Sequence, residues 1–285
     1  MIKMVRLFDL LKKRYKYLSV QDDPLWRTIF FTLKVKPKTI HNIIFGKNSG
    51  SDLFLELEQQ ATSPVDPHDL YRDISRAIDI DETEFWKYHE EIETDKRFHH
   101  AIEKKLQSTS ERPDKTSKCD WREFLFIIVR AIKPNIMIET GSFDGLSTAV
   151  ILLAMAKNNE GTLFTIDLPN PRLPRDIEAE PAWIVPDYLR NRLQLKIGKS
   201  SEHLESIIEQ VGEVDLFYHD SWHTYKNVMF EYQTVWSVLN IDGLLMSEYL
   251  PDLNDAFKDF IKDKSNIPTI LANNTQFILR KSQGE

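Results

Sequence analysis

The hydrophobic and polar positions divide the chain into a helical first part and a second part in which strands alternate with helices. No glycine occurs between Ser51 and Thr140, and the patterning there is helical. It predicts three helices, at 52–60, 66–78 and 81–106. A polar, proline-containing segment at 107–120 then predicts a linker. We expect a helical N-terminal region at 1–115, serving as a cap or a dimerisation surface, and a second domain at 116–285.

From residue 121 onward, short runs rich in β-branched and aromatic residues alternate with helical patterns. Such alternation is typical of parallel strands joined by crossover helices. Helices are predicted at 121–132, 145–158, 201–211, 224–239 and 253–262, and strands at 135–139, 162–167, 193–198, 214–220, 244–248, 268–272 and 275–281. The predicted fold class is therefore α/β, with a Rossmann-like, doubly wound, mostly parallel sheet of seven strands.

One connection in this second part is unusually long. The segment between Asp167 and Leu193 contains five prolines and is longer than most connections between a strand and its successor. It predicts a lid over the site or a wall of the substrate pocket.

Composition and charge limit the partners of the chain. With 41% hydrophobic and 28% charged residues, the 285 residues are those of an ordinary folded protein. The formal net charge is −7, and only residues 1–50 are basic, with 11 Lys and Arg against 3 Asp and Glu. This distribution argues against nucleic acid as a partner. The basic N-terminus leaves contact with a membrane surface open, beside the more ordinary explanation of a solvated helix face.

The single cysteine bears on the compartment. Cys119 excludes an internal disulfide and any multi-cysteine metal site, which favours a reducing environment. No apolar run approaches the roughly 18 residues of a membrane span, and the N-terminus lacks a signal-peptide pattern. The sequence thus predicts a cytoplasmic protein.

The loop after the first strand is the first candidate site, because ligands of open α/β sheets bind beyond the carboxyl ends of the strands. It reads ETGSFDG at 139–145 and lacks the middle glycine of a dinucleotide-binding loop. The carboxylates of Glu139 and Asp144 disfavour a pyrophosphate and favour a cationic ligand with an ammonium or a sulfonium. The loop therefore indicates S-adenosylmethionine, with a plain tight turn as the alternative.

The second and third strands add candidate contacts to a nucleoside. Asp167 ends the second strand, where a carboxylate can accept hydrogen bonds from both hydroxyls of a ribose. Lys199 and Ser200 follow the third strand and are expected to border the adenine. The alternatives are a loop cap for Asp167 and a helix N-cap for Ser200.

Three residues at the ends of the fourth and fifth strands are candidates for the chemistry. His223 follows Asp220 by three positions, and its imidazole is suited to take a proton from an acceptor hydroxyl. Glu248 ends the fifth strand, and neighbouring strands lie about 5 Å apart. Asp220 and Glu248 can then converge on a hard cation such as Mg²⁺ that holds and acidifies the hydroxyl. The alternative is that one acid pairs with a basic side chain.

Taken together, residues 121–282 resemble the class I S-adenosylmethionine-dependent methyltransferases, and within them the group of macrocin O-methyltransferase and cephalosporin-hydroxylase-like proteins. The stretch with Asp220 and His223 is the most specific part of the resemblance. The motifs that carry it are IETGSFDGLSTAV at 138–150, TLFTIDLP at 162–169, LKIGKSSEHL at 195–204, DLFYHDSWHTYKNVMFEY at 215–232 and IDGLLMSEYLPDLNDAF at 241–257.

The resemblance implies a set of site residues. It implies cofactor contacts at Glu139, Gly141, Ser142, Gly145 and Asp167, a divalent metal at Asp220, and an acceptor near His223. The family usually carries a second acid or an amide after the acid of the fifth strand, whereas here Tyr249 follows Glu248. Because tyrosine is a poor Mg²⁺ ligand at neutral pH, a metal-free site stays open.

The activity expected from this resemblance is O-methylation of a hydroxyl on a sugar-bearing or otherwise polyhydroxylated small molecule, such as a glycan or a glycosylated metabolite. Two alternatives remain. One is a methyltransferase-like fold that has lost catalysis and serves as a binding or scaffold protein. The other is a nicotinamide-dependent oxidoreductase, which the missing middle glycine argues against. A homo-oligomer formed through the helical region also stays open.

Overall fold

The structure is a computed structural model that describes residues 66–107, 122–169, 180–248, 255–271 and 276–284. The helix predicted at 52–60, the linker with Cys119, and Tyr249 lie outside the described residues. No helix of the described residues is long and apolar enough to cross a membrane.

Three helices precede the sheet: α1 (Pro67–Ile78), α2 (Glu82–Glu93) and α3 (Lys96–Gln107). The single helix predicted at 81–106 is wrong, because the chain breaks at Thr94 and Asp95. The Thr94 hydroxyl donates to the carbonyl of Glu90 at 2.7 Å, and the carboxylate of Asp95 accepts from the backbone N–H of Phe98 at 2.9 Å. Asp95 therefore caps a new helix at its N-terminus.

The remaining elements alternate as the sequence predicts, with shifted ends. They are α4 (Glu123–Ile132), β1 (Ile136–Thr140), α5 (Leu146–Asn158), β2 (Thr162–Asp167), a 3₁₀ helix (Asp187–Arg192), β3 (Leu193–Ile197), α6 (Ser200–Val211), β4 (Val214–His219), α7 (Tyr225–Val238), β5 (Leu239–Glu248), α8 (Ala256–Ile261), β6 (Thr269–Ile270) and β7 (Gln276–Arg280). The largest difference is β5, which begins at Leu239 and not at Leu244. Its first residue pairs with Val214 of β4, and the register between the two strands shifts between Val214 and Leu216.

The seven strands form one sheet in the order β3-β2-β1-β4-β5-β7-β6. The pairs from β3 to β5 are parallel, and β7 is antiparallel to both β5 and β6. Helices cover both faces: residues of α1 to α5 pack on one face, and residues of α6, α7 and α8 pack on the other. The predicted fold class, a Rossmann-like doubly wound sheet of seven strands, is confirmed.

The helices before the sheet share the core of the first face. Arg130 of α4 forms an ion pair with Glu91 of α2, with Nε 2.8 Å from Oε2, and its guanidinium lies 4.6 Å from the ring centre of Tyr88. His89 of α2 contacts the carboxylate of Glu123 in α4. These polar contacts fasten α2 to the first helix of the strand-containing part. The function of the helical region as a cap or a dimerisation surface stays a prediction.

The strand order reverses between β1 and β4, and the ends of these two strands touch. The backbone N–H of Asp220 donates to the carbonyl of Thr140 at 2.8 Å. A Cβ atom on Gly141 would lie 2.1 Å from the carbonyl oxygen of Asp220, and Gly141 has a φ of +85°. A side chain at this position would collide with backbone atoms, so the glycine is required for the close approach. Ligands of open α/β sheets bind at such a reversal.

We expect Gly141→Ala to destabilise the fold far more than Gly212→Ala. Gly212 has a nearly equal φ of +79°, but an added Cβ there meets nothing within 4 Å. Gly212→Ala should therefore cost only the backbone strain, about 1–3 kcal/mol. Gly141→Ala adds the collision and should cost at least about 2 kcal/mol more. Urea denaturation at pH 7 measures both, and equal losses would contradict the close approach.

Candidate active site

The loop from Gly141 to Gly145 leaves β1 and is held by the carboxylate at the end of β2. Asp167 Oδ2 accepts the backbone N–H of Ser142 at 2.8 Å, the hydroxyl of Ser142 at 3.2 Å and the backbone N–H of Phe143. Its Oδ1 accepts the backbone N–H of Leu168 at 2.7 Å. Burial raises the pKa of Asp167 even though these bonds favour its charged form. Three of the predicted cofactor-binding residues, Gly141, Ser142 and Asp167, are thus brought together.

Glu139 has a different setting from its neighbours in the motif. Its carboxylate is fully buried and accepts hydrogen bonds from the hydroxyls of Ser147, Thr148 and Thr165, at 2.7, 2.7 and 2.9 Å. Burial raises the pKa of Glu139, and the three hydroxyl donors partly offset this effect. Its carboxylate fastens the start of α5 to β1 and β2, and contact with a cofactor stays a prediction.

Asp144, the other acid of the loop, is also turned into the protein. Its Oδ1 accepts the indole N–H of Trp183 at 2.8 Å, and both side chains are buried. Trp183 belongs to the long β2–β3 connection, of which residues 170–179 lie outside the described part. The described part of that connection is therefore a packed wall beside the loop. Whether the connection is a lid stays a prediction.

Asp220, His223 and Glu248 come together at the carboxyl ends of β4 and β5. Each offers one ligand atom, and these atoms all lie within 4.8 Å of one another. His223 Nε2 lies 2.8 Å from Glu248 Oε2, and both side chains keep slightly less than a fifth of their surface exposed. The three residues form a partly open acid–histidine cluster, as the strand ends predict.

The two carboxylates of this cluster differ in their pKa. Burial and the charge of Glu248 raise the pKa of Asp220 well above its ordinary value. Burial also acts on Glu248, but its hydrogen bond and charge interaction with His223 lower its pKa overall. Without a further cation, negative charge is therefore favoured on Glu248, beside the imidazole, over Asp220.

A second histidine–acid pair lies beneath the cluster. His219, at the end of β4, places Nδ1 2.6 Å from Oε2 of Glu231 in α7, and both side chains are fully buried. Glu231 also accepts from Thr140 Oγ1 at 2.6 Å, Ser221 Oγ at 2.8 Å and Asn227 Nδ2 at 2.9 Å. Although burial opposes ionisation, these partners, His219 foremost, lower the pKa of Glu231 to about 2. The rings of His219 and His223 meet edge to face, with centroids 5.1 Å apart.

Ser200 belongs to the hydrogen-bond network around Glu231 and is not the N-cap of α6. Lys199 is the N-cap residue of α6, and Ser200 is its first helical residue. The hydroxyl of Ser200 lies 3.2 Å from Oδ1 of Asn227, whose amide also donates to the carbonyl of Trp222 at 3.0 Å. The contact of Ser200 with an adenine stays a prediction.

Four residues of the site were not predicted from the sequence: His219, Glu231, Asn227 and Trp183. His219 is the last residue of β4 and directly precedes Asp220, and the side chains of neighbouring strand residues point to opposite faces of the sheet. Asn227 and Glu231 are four apart on α7, a spacing that places them on one helix face but does not reveal what they meet. Trp183 had no local signal, because its partner lies 39 residues away.

We expect Glu231→Gln to destabilise the fold by about 3 kcal/mol at pH 7, because it removes the buried charge that pairs with His219. The depressed pKa of Glu231 means that its stabilising effect is full above its ordinary pKa of 4.5 and is lost as the pH falls towards about 2. The difference in the free energy of unfolding between Glu231→Gln and the wild type should therefore narrow as the pH falls from 4.5 towards about 2. Urea denaturation at several pH values measures it.

The control for this experiment is Glu209→Gln, because Glu209 is an exposed glutamate of α6. Its free energy of unfolding should stay within about 0.5 kcal/mol of the wild type. Equal effects of the two substitutions would show that Glu231 does not hold a buried charge.

Comparisons with known proteins place this geometry in a class of enzymes. Residues 138–248 match the model of a methyltransferase domain family. This stretch includes the loop after β1, Asp167 and the whole acid–histidine cluster. No curated protein matches the chain.

Solved structures similar to the chain include methyltransferases. SAH-bound PaMTH1 of Podospora anserina has 15% identity and a TM-score of 0.49, and the match covers 64% of this chain and 88% of that one. TomG of Streptomyces achromogenes, an O-methyltransferase of tomaymycin synthesis in complex with SAM, has 16% identity and a TM-score of 0.48, with coverages of 64% and 90%. CalS11, a TDP-rhamnose 3'-O-methyltransferase of calicheamicin biosynthesis, has 15% identity and a TM-score of 0.46, with coverages of 65% and 94%. At these identities and scores, no conclusion about substrate or metal follows.

The matched stretch begins in β1, ends with Glu248 and contains every residue predicted for the site. The chain accordingly contains a methyltransferase domain, which includes residues 138–248.

Proposed function

We propose that the protein transfers the methyl group to a hydroxyl oxygen of a small polyhydroxylated molecule, such as a sugar-bearing metabolite, in the cytoplasm. The observation that carries the proposal is the His223–Glu248 pair, which lies next to Asp220 where β4 meets the loop after β1. A hydroxyl needs a base for its proton when it is methylated, and a partly exposed imidazole beside a carboxylate provides one. The resemblance to macrocin O-methyltransferase supports the polyhydroxylated acceptor.

The donor is expected over the loop after β1. S-adenosylmethionine supplies a methyl group on a sulfonium sulfur. Asp167 suits its ribose, because Oδ1 accepts only the N–H of Leu168 among the described groups and keeps a lone pair for a hydroxyl. Gly141, Ser142, Gly145 and Ser200 are proposed to border the same donor.

His223 is the proposed general base. Its imidazole, with Nε2 paired to Glu248, would take the proton from the acceptor hydroxyl as the new carbon–oxygen bond forms and the bond between the methyl carbon and the sulfonium sulfur breaks. Glu248 stabilises the resulting imidazolium and holds the ring in place. The proton then leaves the open side of the ring for solvent, and S-adenosylhomocysteine remains as the second product.

A divalent cation fits the acid–histidine cluster, although none of the chemistry above needs one. Asp220 and Glu248 offer oxygen atoms of the kind that Mg²⁺ prefers. Gln276 stands directly opposite Glu248 in the antiparallel β5–β7 pair, so the two side chains share a face of the sheet. Its Oε1 is buried and has no hydrogen-bond partner among the described residues. We propose Asp220 and Glu248 as metal ligands. The cation that they bind would hold the acceptor hydroxyl and make it more acidic.

We expect His223→Ala to lower kcat by about 10²-fold to 10⁴-fold, because it removes the base, and to leave the Kd of S-adenosylhomocysteine unchanged. Single-turnover assays and calorimetric titration measure the two quantities. His100→Ala is the control, because His100 is exposed on α3. An unchanged rate in His223→Ala would eliminate His223 as the base.

We expect the chelator-treated protein to bind Mn²⁺, a spectroscopic substitute for Mg²⁺, and to lose this binding in Asp220→Asn and Glu248→Gln. Titration followed by electron paramagnetic resonance reports the free ion directly and does not depend on turnover. Glu213→Gln, at an exposed position before β4, should bind as the wild type does. A wild-type protein that binds no Mn²⁺ would favour the metal-free mechanism with His223 alone.

A further inference from the structure

Three hydrogen bonds join the loop after β1 to residues 182–184 of the β2–β3 connection. The indole N–H of Trp183 donates to Asp144 Oδ1 at 2.8 Å, and the two side chains are 7% and 4% exposed. The backbone N–H of Ala182 donates to the carbonyl of Phe143, and that of Ile184 donates to the carbonyl of Asp144, both at 3.0 Å. We call this set of contacts, between residues 143–144 and 182–184, the loop latch.

The loop latch fixes a backbone that is strained without it. Phe143 has a φ of +51°, a left-handed conformation that is unfavourable for an aromatic residue. Gly145 has a φ of +100°, and a Cβ on it would lie 2.4 Å from the Cα of Ala182. Strained conformations of this kind persist only where the surroundings determine them. The loop that takes the donor therefore depends on the segment that passes beneath Gly145.

That segment is itself anchored at its other end. Arg190 of the 3₁₀ helix donates to the carbonyl of Ala182 at 2.8 Å. Two residues of α3 hold the 3₁₀ helix: Lys105 Nζ lies 2.9 Å from Asp187 Oδ1, and the Arg97 guanidinium lies 3.8 Å from the ring centre of Tyr188. The 3₁₀ helix therefore connects the loop latch to α3. Its residues before the buried Leu189 contact α3, and Arg190 after it contacts the loop latch.

The geometry points to Asp144 and Trp183 as positioning residues for donor binding. We propose that the indole N–H holds the Asp144 carboxylate, and with it the loop, in the conformation that takes the donor. The charge of Asp144 is then not a partner of the sulfonium, since the carboxylate is turned to Trp183 within the protein. This inference rests on the proposed placement of the donor over the loop after β1.

The first test is Trp183→Phe, which keeps an aromatic ring and removes the N–H. Because this substitution removes a hydrogen bond to a charged acceptor, we expect the Kd of S-adenosylhomocysteine to rise by about tenfold in calorimetric titration of the full chain. The matched control is Trp236→Phe, because the Nε1 of Trp236 in α7 is equally buried but has no hydrogen-bond partner among the described residues. Its Kd should stay within about twofold of the wild type.

The second test separates position from charge at Asp144. Asp144→Asn keeps an acceptor for the indole and removes the charge, whereas Asp144→Leu removes both. We expect Asp144→Asn to bind cationic S-adenosylmethionine and neutral S-adenosylhomocysteine as the wild type does, within about twofold. Asp144→Leu should weaken both by about tenfold. A merely stabilising residue would lower the melting temperature without changing the Kd of the folded protein.

Several outcomes would overturn the inference. If Trp183→Phe binds S-adenosylhomocysteine as the wild type does, the loop latch does not position the donor loop. If Asp144→Asn loses affinity for S-adenosylmethionine alone, the carboxylate acts through its charge. A wild-type protein that binds neither compound would overturn the proposed donor site together with the inference, whereas wild-type binding with an unchanged Trp183→Phe overturns the inference alone.

Discussion

The site depends on the hydrogen bonds that the buried carboxylate of Glu231 accepts and on its pairing with His219. A charge inside a protein is tolerated only when hydrogen bonds and an opposite charge replace its lost hydration. The donors to Glu231 among the described residues include one at the end of β1, one at the end of β4, one in the loop beyond β4 and one in its own helix. If any of these donors moved away, the buried charge would be less well compensated. These bonds thereby fix the backbone at the end of β4, from which the segment with Asp220 and His223 continues.

The two histidine–glutamate pairs show how the environment assigns different tasks to the same residue types. His219 and Glu231 are fully buried and are surrounded by protein donors, so their pair organises backbone. His223 and Glu248 lie at the rim, keep part of their surface exposed and stand beside a second acid. A proton can reach the second pair and not the first. This difference, and not the identity of the residues, makes the rim pair the candidate for proton transfer.

The sequence predicts the features that are local and leaves out those that depend on distant contacts. Parallel strands read as apolar runs, and acids that end such strands meet at one edge of the sheet, so Asp167, Asp220 and Glu248 were predictable. Glu139 and Asp144 looked like ligand contacts, yet Glu139 accepts three protein hydroxyls and Asp144 Oδ1 accepts the indole N–H of Trp183. Whether a loop carboxylate faces a ligand or the interior is decided by segments far along the chain, such as the one with Trp183.

The proposed donor side and the proposed acceptor side of the site are held by different contacts and touch at the ends of β1 and β4. Asp167 and the loop latch hold the loop after β1, while Glu231 holds the exit of β4. The two sides touch where Gly141 faces the backbone of Asp220, at a separation that leaves no room for a side chain. Neither loop can shift towards the other there. The backbone therefore sets the distance between the proposed donor and the proposed base. The acceptor, in contrast, is selected by the side chains and connections around it.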